Sequence, residues 1–393
     1  MQEGVPTGLL EVQEARLRAG QSGKDSLKYA GRNRFSRMVV HERPYGSRHV
    51  GRLPEGCVHC ERGGKMVLFT TGLCPFSCYY CPISPRKKGR NVVFADEMKV
   101  RREADILEEA RAIDATGAGI TGGDPLAVAN RTVRFIRLLK REFGDGFHLH
   151  LYTMGTDLSK IGRLAAAGLD EIRFHPPSAA WSRMQRTSFP AATARAKASG
   201  MDVGLEVPLI PDMKRQLFGL IDWAQSEDLD FVNLNEMEFS DSNREMMAAR
   251  GYRVGRDKSY GVAGSDRAAK EILSRRCSIA VHYCTSAYKD SWQLRERIKR
   301  RARNVAQPWD VVTEDGTLVK GVVEGGDLEG ARRELLRRFR VPRSLVWLNR
   351  PRHRLEVAPW ILEELARRLD ADSYIVEEYP TADHLEVERR RLP

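Results

Sequence analysis

Between residues 65 and 239, short apolar runs alternate with amphipathic stretches, and this alternation limits the possible fold more than any other feature of the chain. The run 65–71 (KMVLFTT) ends at Gly72 and reads as a buried strand. Residues 96–116 place Ile106, Leu107, Ala110 and Ile113 at helical spacing. Strand-like runs recur at 118–121, 148–153, 170–176, 201–210 and 230–239. Helical patterns at about 125–142, 157–168, 181–199 and 213–227 separate them, with Gly168 and Gly200 as stop signals. Strands with helices strictly between them imply a parallel sheet with right-handed crossovers. The six units predict an α/β fold, a partial (β/α)6 barrel with its chemistry at the C-terminal ends of the strands.

The pattern divides the chain into four parts. Residues 1–64, polar and basic at the start, form an N-terminal extension that closes on a Cys57-Val-His-Cys60 knuckle. Residues 65–240 are the barrel. Residues 241–306 are an irregular excursion, then Cys277 and Cys284, then a basic helix at 289–306. Residues 307–393 are a small C-terminal α+β accessory domain. Its elements read as a hairpin around Asp315-Gly316, a helix, two strands, a second helix and two strands.

Composition bounds the function. Hydrophobic residues at 41% and charged residues at 30% are globular proportions, not those of a disordered chain. No apolar run approaches the ~20 residues that a membrane helix needs. The first residues mix acids and bases and lack the apolar stretch of a secretory signal, so a cytoplasmic protein with no membrane partner is expected. Lys+Arg 65 against Asp+Glu 53 leaves +12. Such an excess attracts nucleic acid, phosphorylated metabolites or acidic protein surfaces, or is simply a solvated arginine-rich surface. It concentrates in Arg86-Lys87-Lys88-Gly89-Arg90, in 295–303 and in 332–354, where Phe339 and Trp347 are interleaved. These stretches fit phosphate contacts and base stacking; amphipathic arginine-rich helices also commonly cover a core.

Five of the seven cysteines lie between Cys57 and Cys81, which in a chain without an export signal favours metal ligation over disulfides. Cys74-x3-Cys78-x2-Cys81, with Tyr80 before the third cysteine, follows the first predicted strand directly. Three thiolates on one tight loop can bind three irons of a [4Fe–4S] cube and leave the fourth open. S-adenosylmethionine (SAM) fits there through its amino and carboxylate groups, and an electron from the cluster would cleave it to a 5′-deoxyadenosyl radical. The alternative is a zinc loop completed by a distant Cys or His.

With these residues the chain resembles the radical SAM superfamily over about residues 65–240. Cys74, Cys78 and Cys81 match the family signature, and Thr121-Gly122-Gly123-Asp124-Pro125 stands where the family carries Gly-Gly-Glu-Pro. The layout is most similar to uncharacterised archaeal and bacterial proteins related to pyruvate formate-lyase activating enzyme. The resemblance implies a radical SAM enzyme with Tyr80 at the family's aromatic position. It puts Gly122, Gly123 and Asp124 at the methionine end of SAM, and Thr153, His175 and Glu206 at strand ends that reach the cofactor. Taken singly, the Gly-Gly-Asp-Pro segment is a turn and each strand-end residue a satisfied structural polar group. The implied reaction is hydrogen abstraction from an unknown, anionic substrate with an external electron donor. Nucleic acid such as tRNA leads on charge alone, ahead of protein or a phosphorylated metabolite.

Cys57, Cys60, Cys277 and Cys284 remain, and two pairs make one four-thiolate set for zinc or an auxiliary iron–sulfur cluster, with His59 or His282 able to replace a ligand. Otherwise the knuckle is a lone zinc loop and the later pair are buried hydrophobes. The rival reading of the whole chain is a non-catalytic zinc-binding nucleic-acid protein with two zinc sites.

Overall fold

A computed structural model describes residues 39–255 and 260–393. The expectations for the N-terminal extension before residue 39 lie outside the described residues. The predicted strands form as β3 (Lys65–Phe69), β6 (Gly117–Thr121), β7 (His148–Thr153), β8 (Glu171–Phe174), β9 (Asp202–Leu209) and β10 (Phe231–Glu236). Each alternates between two faces. One face carries Met66, Leu68, Ile120, Leu149, Leu151, Ile172, Val203, Leu205, Val232 and Leu234, all at 0% exposure. Helices α2 (Glu103–Ala112), α3 (Ala129–Phe143), α4 (Leu158–Ala165), α5 (Phe189–Ala198) and α6 (Lys214–Ser226) supply the rest of this core. The other face is polar, with His150, Tyr152, Arg173, Glu206, Asn233 and Asn235. Strands of a helix-covered parallel sheet are normally apolar on both faces. A polar concave face therefore points to a site rather than a second core.

The sheet has eleven strands in the order β1-β2-β11-β10-β9-β8-β7-β6-β3-β4-β5. Here β1 is Val40–Glu42, β2 Arg48–Val50, β4 Phe94–Ala95, β5 Met98–Lys99 and β11 Ala280–Cys284. From β3 to β11 the neighbours run parallel; β2 and β4 add antiparallel edges. The two edges do not pair, so the barrel stays open. Strand β11 corrects the expected six units. Its run AVHYC follows a basic helical stretch and is too short to stand out, yet it pairs with β10 from Phe231↔Ala280 to Asn235↔Cys284. The segment expected to follow the barrel therefore supplies a seventh parallel strand. A second difference lies in 96–116, where β5 precedes a helix that starts only at Glu103. Asp105 sets that start by accepting the N–H groups of Arg101 and Arg102 at 2.7 and 3.1 Å.

The expected knuckle is a helix, α1 (Glu55–Glu61), packed against the concave face beside β6 and β7. A Cβ at Gly56 would stand 2.5 Å from His150 Nδ1, so only glycine admits this approach. Later come α7 (Arg244–Ala248), α8 (Ser265–Leu273) and α9 (Arg295–Val305), the last the expected basic helix. Its charge faces inward. Arg297 pairs with Asp96 and Glu97, Arg300 with Asp114 and Arg301 with Glu109. The C-terminal elements follow the predicted order: β12 (Val311–Val312), β13 (Leu318–Glu324), α10 (Leu328–Arg337), β14 (Val346–Asn349), β15 (Arg354–Val357), α11 (Pro359–Leu365), β16 (Asp372–Glu378) and β17 (Glu386–Arg391). They form an antiparallel sheet with its own core around Val323, Leu335, Leu355 and Leu362.

Candidate active site

The cysteine loop leaves the C-terminal end of β3. Its neck is a pair of backbone bonds, Gly72 N–H to Arg90 O and Gly89 N–H to Gly72 O, each 2.8 Å. A Cβ at Gly72 would fall 1.7 Å from the Lys87 carbonyl oxygen, so the neck requires glycine. All three thiols are free, Cys74 exposed and Cys78 and Cys81 half-buried. Burial pushes the Cys74 and Cys78 thiols up. Among the described residues no three His, Cys, Asp or Glu side chains are drawn together as a metal site, and the loop is shaped by its backbone bonds. As a donor set, three free thiols on one loop fit a soft metal or an iron–sulfur cluster.

The Gly122-Gly123 turn lies directly beneath this loop. Gly123 N–H donates to Thr71 O at 2.6 Å and Asp124 N–H to Leu73 O at 2.9 Å. A Cβ would meet Thr71 O at 2.4 Å from Gly122 and Leu73 O at 2.3 Å from Gly123. Both glycines therefore serve close passage of the cysteine loop. Asp124, 2% exposed, has both carboxylate oxygens engaged. Oδ1 accepts from Leu126 N and Thr153 Oγ1, both at 2.8 Å, and Oδ2 from Met154 N at 3.0 Å. Thr153 Oγ1 in turn accepts from Gly155 N at 2.8 Å. The side chains of Asp124 and Thr153 thus tie β6 to β7, because a buried carboxylate needs donors and these are the nearest.

Tyr80, His175 and Glu206 do come together. The Tyr80 hydroxyl lies 2.9 Å from His175 Nε2, and His175 Nδ1 lies 2.7 Å from the Glu206 carbonyl. A carbonyl only accepts, so Nδ1 carries the proton and Nε2 receives the tyrosine hydroxyl. Burial lowers the His175 pKa, which keeps the ring neutral. The Glu206 carboxylate accepts from Arg173 NH1 at 2.8 Å, Asn233 Nδ2 at 2.9 Å and Asn235 Nδ2 at 2.6 Å. Burial alone would raise its pKa; Arg173 and the two amides outweigh it and hold the group at about 2. Arg173, 2% exposed, also pairs with Glu171.

Arg173, His150 and Tyr152 were not singled out from sequence. The polar period-2 series in HLHLYT and EIRFH was the available signal. The clamp over the loop carried no such signal. Asn243 Nδ2 donates to Tyr80 O at 3.0 Å, and the Tyr79 and Tyr252 rings stack at 6.1 Å.

Of the other four cysteines, Cys277 stands apart, while Cys57 and Cys60 lie within electrostatic reach of Cys284. Cys57 is buried in the interior, its Sγ 3.3 Å from Asn233 Nδ2 and 3.5 Å from Arg173 NH1. Cys284 ends β11 and receives Gln293 Nε2 at 3.8 Å. Cys277 precedes the first residue of that strand, beside Arg275 and Asp222, so the strand separates it from Cys284. Burial pushes the Cys57 thiol up to about 11 and that of Cys284 to about 12. His59 and His282 are engaged by Thr116 Oγ1 at 2.7 Å and Ser47 Oγ at 3.2 Å. The shared zinc or auxiliary-cluster site finds no support in this arrangement.

Comparison with known proteins agrees with the fold and the loop. Residues 68–187 match the Radical SAM superfamily model, and residues 316–392 match a Domain of unknown function (DUF8061). Over 360 residues the chain is 36% identical to a Methanocaldococcus jannaschii protein described as "Putative glycyl-radical enzyme activating enzyme MJ0021", covering 88% of this chain and 94% of that one. Among solved structures, Streptococcus suis SuiB bound to S-adenosylmethionine aligns at 10% identity and TM-score 0.40, over 56% of this chain and half (50%) of that one. A point mutant of spore photoproduct lyase aligns at 14% identity and TM-score 0.36, over 67% and 88%. These two structural likenesses are too distant to bear on the site.

Proposed function

Since the chain belongs to the radical SAM superfamily, we propose that Cys74, Cys78 and Cys81 hold a [4Fe–4S] cluster and that the protein abstracts a hydrogen atom from a partner protein. Bound there, the cluster supplies the electron that cleaves SAM to a 5′-deoxyadenosyl radical. The chain's own residues shape where this happens. Gly122 and Gly123 let the cysteine loop pass close over the turn, and the Tyr80–His175 pair forms a neutral polar wall. Glu206, fixed as a carboxylate by Arg173, Asn233 and Asn235, forms a charged floor that orients polar groups of cofactor or substrate. Asn243 and Tyr252 hold Tyr80 and Tyr79 of the loop in place.

The observation that carries this reading is the loop of three free thiols lying on the Gly-Gly turn at the C-terminal strand ends. A protein substrate is preferred because the similar archaeal protein is described as an activating enzyme of glycyl-radical enzymes. The internal ion pairs of Arg297, Arg300 and Arg301 weaken the case for a nucleic-acid surface on α9. The test is anaerobic reconstitution with iron and sulfide, followed by dithionite and SAM. Iron-dependent release of 5′-deoxyadenosine is expected, and its absence would refute the activity. Stimulation by cell extract that protease abolishes and nuclease spares supports the protein substrate; the reverse pattern supports nucleic acid.

A further inference from the structure

Across α1 from the polar interior lies a cavity of about 710 Å³ that none of the chemistry above uses. Gly56 and Cys57 face the interior network, whereas Val58, Glu61 and Arg62 face this cavity. Its volume lies within the range of small-molecule sites. Five arginines line it against two glutamates, Glu61 and Glu296. Arg43 pairs with Glu61 at 3.3 Å and Arg300 is held by Asp114, but Arg62 and Arg303 are exposed. Such a wall presents fixed positive charge and several N–H donors to an anion.

A separate observation points to a ligand. His49, 6% exposed, lines the same cavity, and its Nε2 is buried without a partner. Its Nδ1 lies 2.9 Å from the Gly51 carbonyl and so carries the proton. Nε2 is then a lone pair without a donor, in a wall where arginines outnumber the two glutamates. Desolvation by burial lowers the His49 pKa and favours this neutral form. A ligand that satisfies both must carry negative oxygens and an O–H of its own. Hydrogen phosphate and singly protonated phosphomonoesters do; sulfate at neutral pH does not.

We propose that this cavity, bounded by Arg43, His49, Arg62, Arg300 and Arg303, is a binding site for a small phosphomonoester, separate from the cysteine-loop site. The proposal does not depend on the substrate of the radical reaction. It is tested on the full-length chain by calorimetric titration with inorganic phosphate, at fixed ionic strength in chloride, with sulfate as the proton-free comparison. Saturable binding is expected, with phosphate favoured over sulfate by about tenfold, the effect of one hydrogen bond. The double variant Arg62→Ala/Arg303→Ala should weaken phosphate by at least about tenfold and leave 5′-deoxyadenosine formation unchanged. His49→Phe should remove the preference for phosphate over sulfate; if that variant does not fold, the exposed arginine pair still decides. Absence of saturation, or equal binding by the arginine variant, overturns the site. So does a polyglutamate peptide or an oligonucleotide that binds the cavity and is not displaced by phosphate.

Discussion

Two groups of cysteines behave differently in this protein. Cys74, Cys78 and Cys81 lie within one loop, free and reachable at the top of the sheet. Cys57, Cys277 and Cys284 are buried: Cys57 and Cys284 border the interior around Glu206, while Cys277 lies in the loop before β11. Ligands a few residues apart share a loop whatever the fold around them. Ligands from distant parts of the chain meet only if tertiary packing aims them at one point, and here it aims Cys277 elsewhere.

The largest expected effect sharpens this contrast. Replacing Cys74, Cys78 and Cys81 together by Ala should abolish 5′-deoxyadenosine formation and remove about four irons per chain. Iron retained in that variant would show that the buried cysteines hold metal after all. Next, Arg173→Met should destabilise the fold by about 3–5 kcal/mol, because Glu171 and Glu206 would be left buried without their cation. Urea unfolding measures it, and a loss under about 1 kcal/mol would mean the interior network is wet and slack.

Gly123→Val should cost about 1–3 kcal/mol of overpacking against Leu73 and lower iron incorporation as the cysteine loop is displaced. Normal iron content in this variant would separate the turn from the loop. A pH effect follows from Glu206. Its folded pKa, about 2, lies below the ordinary ~4.3 of glutamate. Its stabilisation is present above the unfolded value and fades as pH falls through about 4 to 2. Stability measured across that window should flatten in Glu206→Gln; an unchanged slope would remove the group from the acid transition. Smallest of all, Cys277→Ser should cost about 1 kcal/mol or less and release no metal. Zinc lost on that change would break the comparison.

Much of the barrel could be read from residues alone. Leu149, Leu151, Ile172 and Phe174 repeat with the period of a strand, and α3 and α6 repeat with that of a helix. Strand β11 escaped because five residues preceded by a basic stretch give too little periodicity, and only pairing with β10 defines it. Helix α1 escaped because Cys57 and Cys60 drew a metal reading, while its helical form depends on packing in the concave face. For the site, spacing located the cysteine loop, and the resemblance to the radical SAM superfamily pointed to the Gly-Gly turn and the charged Glu206. The partners of Glu206 were not legible: Arg173, Asn233 and Asn235 come from two other strands whose register the sequence leaves open.

Local spacing thus determined the order of the predicted strands and helices and the three-thiol loop, since each depends on residues close together in the chain, whereas the need for glycine at Gly72, Gly122 and Gly123 comes from contacts with Lys87, Thr71 and Leu73. Tertiary structure decided which polar groups neutralise one another, that Asp124 and Thr153 face inward, and that Cys277 stands apart from Cys284. The physical reason is the same in each case. A buried charge or donor is settled by whichever partner the sheet register brings within about 3 Å, and register is fixed only when the whole barrel assembles.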